Sequence, residues 1–134
     1  MILVDTSIWI ELIAGRIHVK EPDMLLRFRT CGPVLQEVFQ GLHAGREGEA
    51  FKDSFLSIPR VCDPLTWELY SQAAKIYREG RRRGYTVRSS MDCLIAAIAI
   101  ESAIPVWHQD RDFKHIARFT PLAVFENKPP DKLN

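Results

Sequence analysis

Ile2-Leu3-Val4 is apolar at three consecutive positions and meets Asp5 immediately afterwards. A strand with one face in water alternates apolar and polar residues, whereas an unbroken apolar run is buried on both faces, as in a parallel sheet. The chain therefore opens inside a layered structure. Pro105-Val106-Trp107 reads as a second internal strand and Leu122-Ala123-Val124-Phe125 as a last one. Between them lie helices. The first runs from Ile8 to Ala14, capped by Thr6 or Ser7 and ended by Gly15. Met24-Leu25-Leu26 begins a short one, Pro33 opens one ending near Gly41, and another lies around Ala50 to Phe55. Asp63-Pro64 is a cap-then-proline start for a helix running to about Gly84. Leu65, Leu69, Ala73 and Ile76 give it one apolar stripe, with Trp67, Tyr70, Ala74 and Tyr77 beside it. Ser89 or Ser90 caps the next, whose residues Met91 to Ile100 are apolar nearly all round and so predict a buried helix. Short apolar strands separated by helices predict an α/β fold with a parallel sheet and right-handed crossovers.

A chain of 134 residues is one domain with room for a proper core. The domain is expected over residues 1–126, with 127–134 a frayed tail. The formal net charge of +1 gives no bulk attraction to nucleic acid. Cys31, Cys62 and Cys93 show no Cys-x-x-Cys spacing, and free thiols in a reducing cytoplasm fit them best. The apolar run from Cys93 to Ile100 falls far short of the ~20 residues of a membrane helix. The apolar opening meets Asp5 too soon for a targeting segment, so a cytoplasmic protein with no membrane partner is expected.

Four carboxylates, Asp5, Glu37, Asp92 and Asp110 (with Asp112 beside it), stand at element ends or on buried faces. Singly, each has an ordinary explanation. Asp5 can start a turn, Asp92 can be favoured by a helix dipole worth roughly 0.3–1 kcal/mol, Glu37 can be solvated, and Asp110-Arg111-Asp112 can be a polar turn. Brought together, they repel one another unless a divalent cation or a shared proton sits between them. In an open parallel sheet, ligands gather beyond the C-terminal ends of the strands. Asp5 follows the first strand, and Asp110 and Asp112 follow Pro105-Val106-Trp107 in the same sense. Asp92 lies in the first turn of the buried helix, with Ala96 and Ala99 on its face, and Glu37 lies beside Val34 and Gly41. Hard oxygen ligands suit Mg²⁺ or Mn²⁺, the ions of phosphodiester chemistry.

Val4-Asp5-Thr6-Ser7-Ile8-Trp9, Glu37 within Val34-Leu35-Gln36-Glu37-Val38, Ser90-Met91-Asp92-Cys93-Leu94-Ile95-Ala96-Ala97, and Asp110-Arg111-Asp112-Phe113 together resemble the PIN-domain ribonucleases, and more closely the VapC toxins of bacterial toxin–antitoxin pairs. The resemblance spans essentially the whole chain in order and spacing. It implies a three-layer PIN-like fold, a short central parallel sheet flanked by helices, and a Mg²⁺- or Mn²⁺-dependent endoribonuclease. Asp5, Glu37, Asp92 and Asp110 would be the catalytic acids, and Asp5, Asp92, Asp110 and Asp112 would reach the metal. Thr6 and Ser7 would support them. Cleavage would leave a 5′-phosphate on the downstream RNA fragment. The implied partners are RNA (a tRNA or ribosomal RNA loop), a VapB-like antitoxin that covers the cleft with a basic side chain, and a second copy of the chain. Where many relatives carry threonine or serine two residues before the Asp110 position, this chain has His108, read as a packing or hydrogen-bonding residue.

Arg78, Arg81, Arg82, Arg83 and Arg88, interleaved with Tyr77 and Tyr85, form a dense cationic segment suited to RNA phosphates and an unpaired base. The plain alternative is a solvated helix C-terminus. Trp9, Ile10, Leu12 and Ile13 leave the first helix little polar face, part core and part interaction groove. Other α/β readings fit poorly. A dehalogenase-type phosphatase wants an aspartate where Ser7 stands, and a dinucleotide-binding domain needs a Gly-x-Gly-x-x-Gly turn that is absent. The non-enzyme alternative is a PIN-like RNA-binding or regulatory module without turnover.

Overall fold

In a computed structural model of the chain, residues 1–127 are described, so the tail expected over 127–134 lies almost wholly outside them. Three parallel strands form the sheet: β1 (Ile2–Val4), β2 (Phe28–Arg29) and β3 (Val106–Trp107), in the order β2-β1-β3. The register pairs Ile2 with Phe28 and Leu3 with Val106. Ile2, Leu3 and Val4 are wholly buried, so both faces of the central strand are covered. The covering helices are α1 (Thr6–Ile13), α2 (Gly32–Gln40), α3 (Arg46–Leu56), α4 (Trp67–Arg82), α5 (Ser90–Ser102) and α6 (Arg111–Ala117), with a 3₁₀ turn over Pro22–Arg27. No helix among the described residues is long and apolar enough to cross a membrane.

α5 is the buried helix its composition predicts. Cys93, Ile95, Ala96, Ala97, Ile98 and Ala99 are all buried, and the helix packs along α4 and against α2 and α6. Its small residues let neighbouring helices approach, while Ile95 and Ile98 fill the interior. The α4 stripe of Leu69, Ala73 and Ile76 is likewise buried. Trp67 and Tyr70, next to that stripe, remain 73% and 53% exposed.

Three expectations need correction. The last strand is an isolated bridge: Val124 pairs with Val106, and Phe125 N–H donates to the Val106 carbonyl at 2.8 Å. Helix α4 starts four residues after Asp63: the Thr66 hydroxyl is its cap, accepting the Leu69 N–H, while the Asp63 carboxylate pairs with Arg60 at 2.9 Å. Leu65 therefore precedes the helix whose stripe it was expected to join. At the first helix, Asp5 is the cap, since its carboxylate accepts the Ser7 N–H and the helix begins at Thr6.

Strand order reverses at β1. The chain leaves β1 through α1 to reach β2 on one side, then returns through α2 to α5 to place β3 on the other. Ligands of open parallel sheets sit at such a reversal, beyond the strand ends. Asp5 N–H donates to the Trp107 carbonyl at 3.0 Å, tying the exits of β1 and β3 together at that place.

Candidate metal centre

The acids reach this edge through helix starts. Asp5 caps α1, Asp110 caps α6 by accepting the Asp112 N–H at 2.9 Å, and Asp92 lies in the first turn of α5, whose cap is Ser89. Carboxylates are favoured at helix N-termini by unsatisfied N–H groups and the helix dipole. The ordinary capping explanation is thus correct for Asp5 and Asp110, and the same geometry aims both at one place. Ser7 ties that place together: its hydroxyl donates to Asp5 Oδ2 at 2.6 Å and accepts the Gln109 N–H at 3.0 Å. Thr6 donates to Glu37 Oε1 at 3.1 Å, so α1 also fixes the acid of α2.

Carboxylate oxygens of Asp92, Asp110 and Asp112 all lie within 4.8 Å of one another. Asp92 and Asp112 are only 6% and 3% exposed. Asp5 and Glu37 stand next to this trio, close enough for their charges to act on it. Burial, then the charges of Asp110 and Asp5, push the Asp92 carboxyl up to about 9. Burial raises Asp5, with Asp110 adding to the rise, although its bonds from Ser7 oppose it. Burial raises Glu37 as well, followed by Asp5 and Asp110, against the Thr6 hydrogen bond. Among the described residues none of the five carboxylates has a cationic side chain in an ion pair. Asp92 Oδ2 is buried without a hydrogen-bond partner. A buried, unpaired oxygen among hard oxygen donors fits a divalent cation such as Mg²⁺ or Mn²⁺.

Asp112 is also held from outside the trio, its Oδ2 accepting the Arg88 N–H at 3.0 Å. His108 packs on Phe113 with ring centroids 5.0 Å apart, and its Nδ1 accepts the Asp110 N–H at 3.1 Å. Burial lowers its pKa, keeping the ring neutral near pH 7. The five arginines divide. Arg82 and Arg83 both pair with Glu79, and Arg81 lies over the Tyr77 ring at 5.2 Å. Arg78 and Arg88 instead line one groove with Tyr70 and Tyr77, which reaches Ser90 and Met91 at the start of α5. Tyr85 stacks on His115 at 4.7 Å. The Thr6–Glu37 and Ser7–Gln109 links had no signal in the spacing, because they join residues far apart in the chain.

A parallel sheet whose strand-order reversal carries a cluster of buried acids defines a class, and the comparisons agree on which. The family model described as PIN domain matches residues 2–119. "Ribonuclease VapC11" of Mycobacterium tuberculosis and "VapC ribonuclease Mb1587" of Mycobacterium bovis are each 38% identical over 131 residues, covering 91% of this chain and 96% of the relative. The chain belongs to the PIN-domain family, on its VapC ribonuclease branch. In fold it is similar to VapBC2 of Rickettsia felis, solved bound to a DNA fragment from their promoter. That likeness has a TM-score of 0.71 at 19% identity and covers 93% of this chain and 98% of that one.

The Asp92 environment has a signed consequence for stability. A folded-state value near 9 against 3.8 means that the folded chain keeps a proton the unfolded chain has already lost. The stability this group contributes is full below about pH 4 and is lost as pH rises towards 9. The metal-free protein is expected to melt at lower temperature at pH 8 than at pH 6. Asp92→Asn, which removes the titrating charge, flattens that dependence and raises the melting temperature at pH 8. Scanning calorimetry of both proteins in chelator decides it; equal pH slopes refute the account.

Proposed function

We propose that this protein is the toxin of a toxin–antitoxin pair, an endoribonuclease that hydrolyses RNA phosphodiester bonds with Mg²⁺ or Mn²⁺. The observation that carries this reading is the buried, unpaired acid cluster at the strand-order reversal, in a chain related along most of its length to VapC ribonucleases. Asp92, Asp110 and Asp112 would hold the metal, with Asp5 beside them. When bound, a divalent ion supplies Lewis-acid stabilisation of charge developing on the phosphate and makes a water molecule more acidic. The residues of the chain do the rest. Ser7 fixes the orientation of Asp5, and Thr6 fixes that of Glu37. Glu37 is half-buried with a raised pKa, which suits it to accept and return a proton at the substrate edge. Arg78 and Arg88 would grip phosphates, while Tyr70 and Tyr77 offer ring faces to an unpaired base.

An antitoxin segment would occupy a second groove, of about 470 Å³, between α1, α2 and α3. Ile10 and Ile13 stand 54% and 53% exposed along it, with Trp9 and Phe51 in its wall. Glu37 and Thr6 lie at the end that meets the acids. An amphipathic segment laid there reaches the cluster with its tip, where a lysine or arginine finds charge complementarity.

Three outcomes are expected. RNA cleavage by the purified protein requires Mg²⁺ or Mn²⁺, and Asp5→Ala and Asp92→Ala each reduce it by more than the roughly 10–100-fold typical of losing an outer partner. Cleavage that survives both substitutions rejects the assignment. Arg78→Ala and Arg88→Ala weaken RNA binding and each flatten its salt dependence, whereas Arg82→Ala, already paired with Glu79, does neither. Filter binding across a salt series separates the two groups, and equal slopes would remove the groove from the RNA path. Ile10→Asp and Ile13→Asp abolish co-purification with the antitoxin while leaving metal-dependent cleavage in place; retained co-purification places the partner elsewhere.

A further inference from the structure

The Arg88–Asp112 hydrogen bond raises the question of what holds Arg88. It lies in the connection from α4 to α5, residues 83–89, which has no helix or strand of its own. That connection is held by its backbone and by two side chains: the Tyr85 N–H donates to the Gly80 carbonyl at 2.9 Å, and Val87 and the Tyr85 ring pack on α4 and α6. Val87 is buried and packs over Gly80, where an added Cβ would stand 3.1 Å from Val87 Cγ2 and 3.4 Å from the Phe119 ring. Gly80 is thus the gap in α4 into which the connection fits. Tyr85 stacks on His115 with centroids 4.7 Å apart and planes 18° from parallel, and lies nearly parallel to Phe119 at 6.0 Å.

His115 is on α6, three residues after Asp112. Residues three apart on a helix are neighbours on one face. The connection therefore grips a single face of α6 twice, one turn apart: a ring stack on His115 and a backbone N–H on the Asp112 carboxylate. Stacked rings prefer a defined offset and spacing, so the pair restricts where a short segment without helix or strand can lie. The Arg88 N–H takes one oxygen of Asp112 and so fixes how the carboxylate presents the other.

We propose that Tyr85 is a positioning residue for the acid cluster: its stack on His115 keeps the Arg88 N–H in register with Asp112 and so sets the third carboxylate for a divalent ion. The inference rests on the cluster being the metal site proposed above. Its test is Mn²⁺ titration of the whole purified protein by calorimetry, with hydrogen exchange at the Arg88 amide as a second readout. Tyr85→Ala is expected to weaken Mn²⁺ binding about 10-fold, the scale of an outer-partner loss, and to speed Arg88 exchange. Tyr85→Phe, which keeps the ring, retains both. Should Tyr85→Ala fail to fold, His115→Ala gives the same reading, because it removes the other ring of the stack. Wild-type protein that binds no Mn²⁺ overturns the metal site and this inference together. Wild-type binding with unchanged affinity and exchange in Tyr85→Ala, or in His115→Ala as its substitute, overturns the positioning role alone.

Discussion

Mutual repulsion among buried carboxylates is the interaction around which this molecule is arranged. Asp92 sits in a largely apolar helix, within reach of Asp110 and Asp112 and under the charge of Asp5, and among the described residues no cationic side chain pairs with any of them. A cluster of that kind is unfavourable in a low-dielectric interior unless something offsets it. Three helix N-termini do so in part. α1, α5 and α6 all begin at the cluster; α1 and α6 donate an N–H to Asp5 and Asp110, and α5 carries Asp92 in the first turn at the positive end of its dipole. Raised pKa values record what remains uncompensated.

The sheet is small because it has one task. Strands of two and three residues contribute little stability of their own, and the core is made chiefly by α5 against α4 and by the aromatic group of Trp9, Phe28 and Phe55. What the strands supply is alignment. The bond from Asp5 N–H to the Trp107 carbonyl and the Ser7 bridge to Gln109 hold the ends of β1 and β3 side by side. Acids separated by over a hundred residues of sequence thereby share one edge.

Much of this was legible in the sequence, for identifiable reasons. β1 and α5 could be read because apolar runs mean burial, and Asp5 and Asp92 stood out because they end or interrupt such runs, while Glu37 and Asp110 were picked out by the resemblance. β2 was not legible: Phe28 and Arg29 form a two-residue strand between Arg27 and Thr30, too short for any period to show. The start of α4 was misread because Asp63 and Thr66 are both good caps; in the structure Asp63 pairs with Arg60 and Thr66 caps the helix. The arginine segment looked uniform, yet Glu79 engages Arg82 and Arg83 and leaves Arg78 and Arg88 to the groove. Pairings across space of that sort have no one-dimensional signature.

Thr6 and Glu37 belong at once to the acid edge and to the mouth of the apolar groove between α1, α2 and α3. Occupancy of one is therefore obstruction of the other. No relay through the core and no second conformation is needed to silence such a molecule; an occupant has only to be long enough to reach the shared pair. Control by an occupant of that groove would be set by how many occupants there are for each copy of the chain.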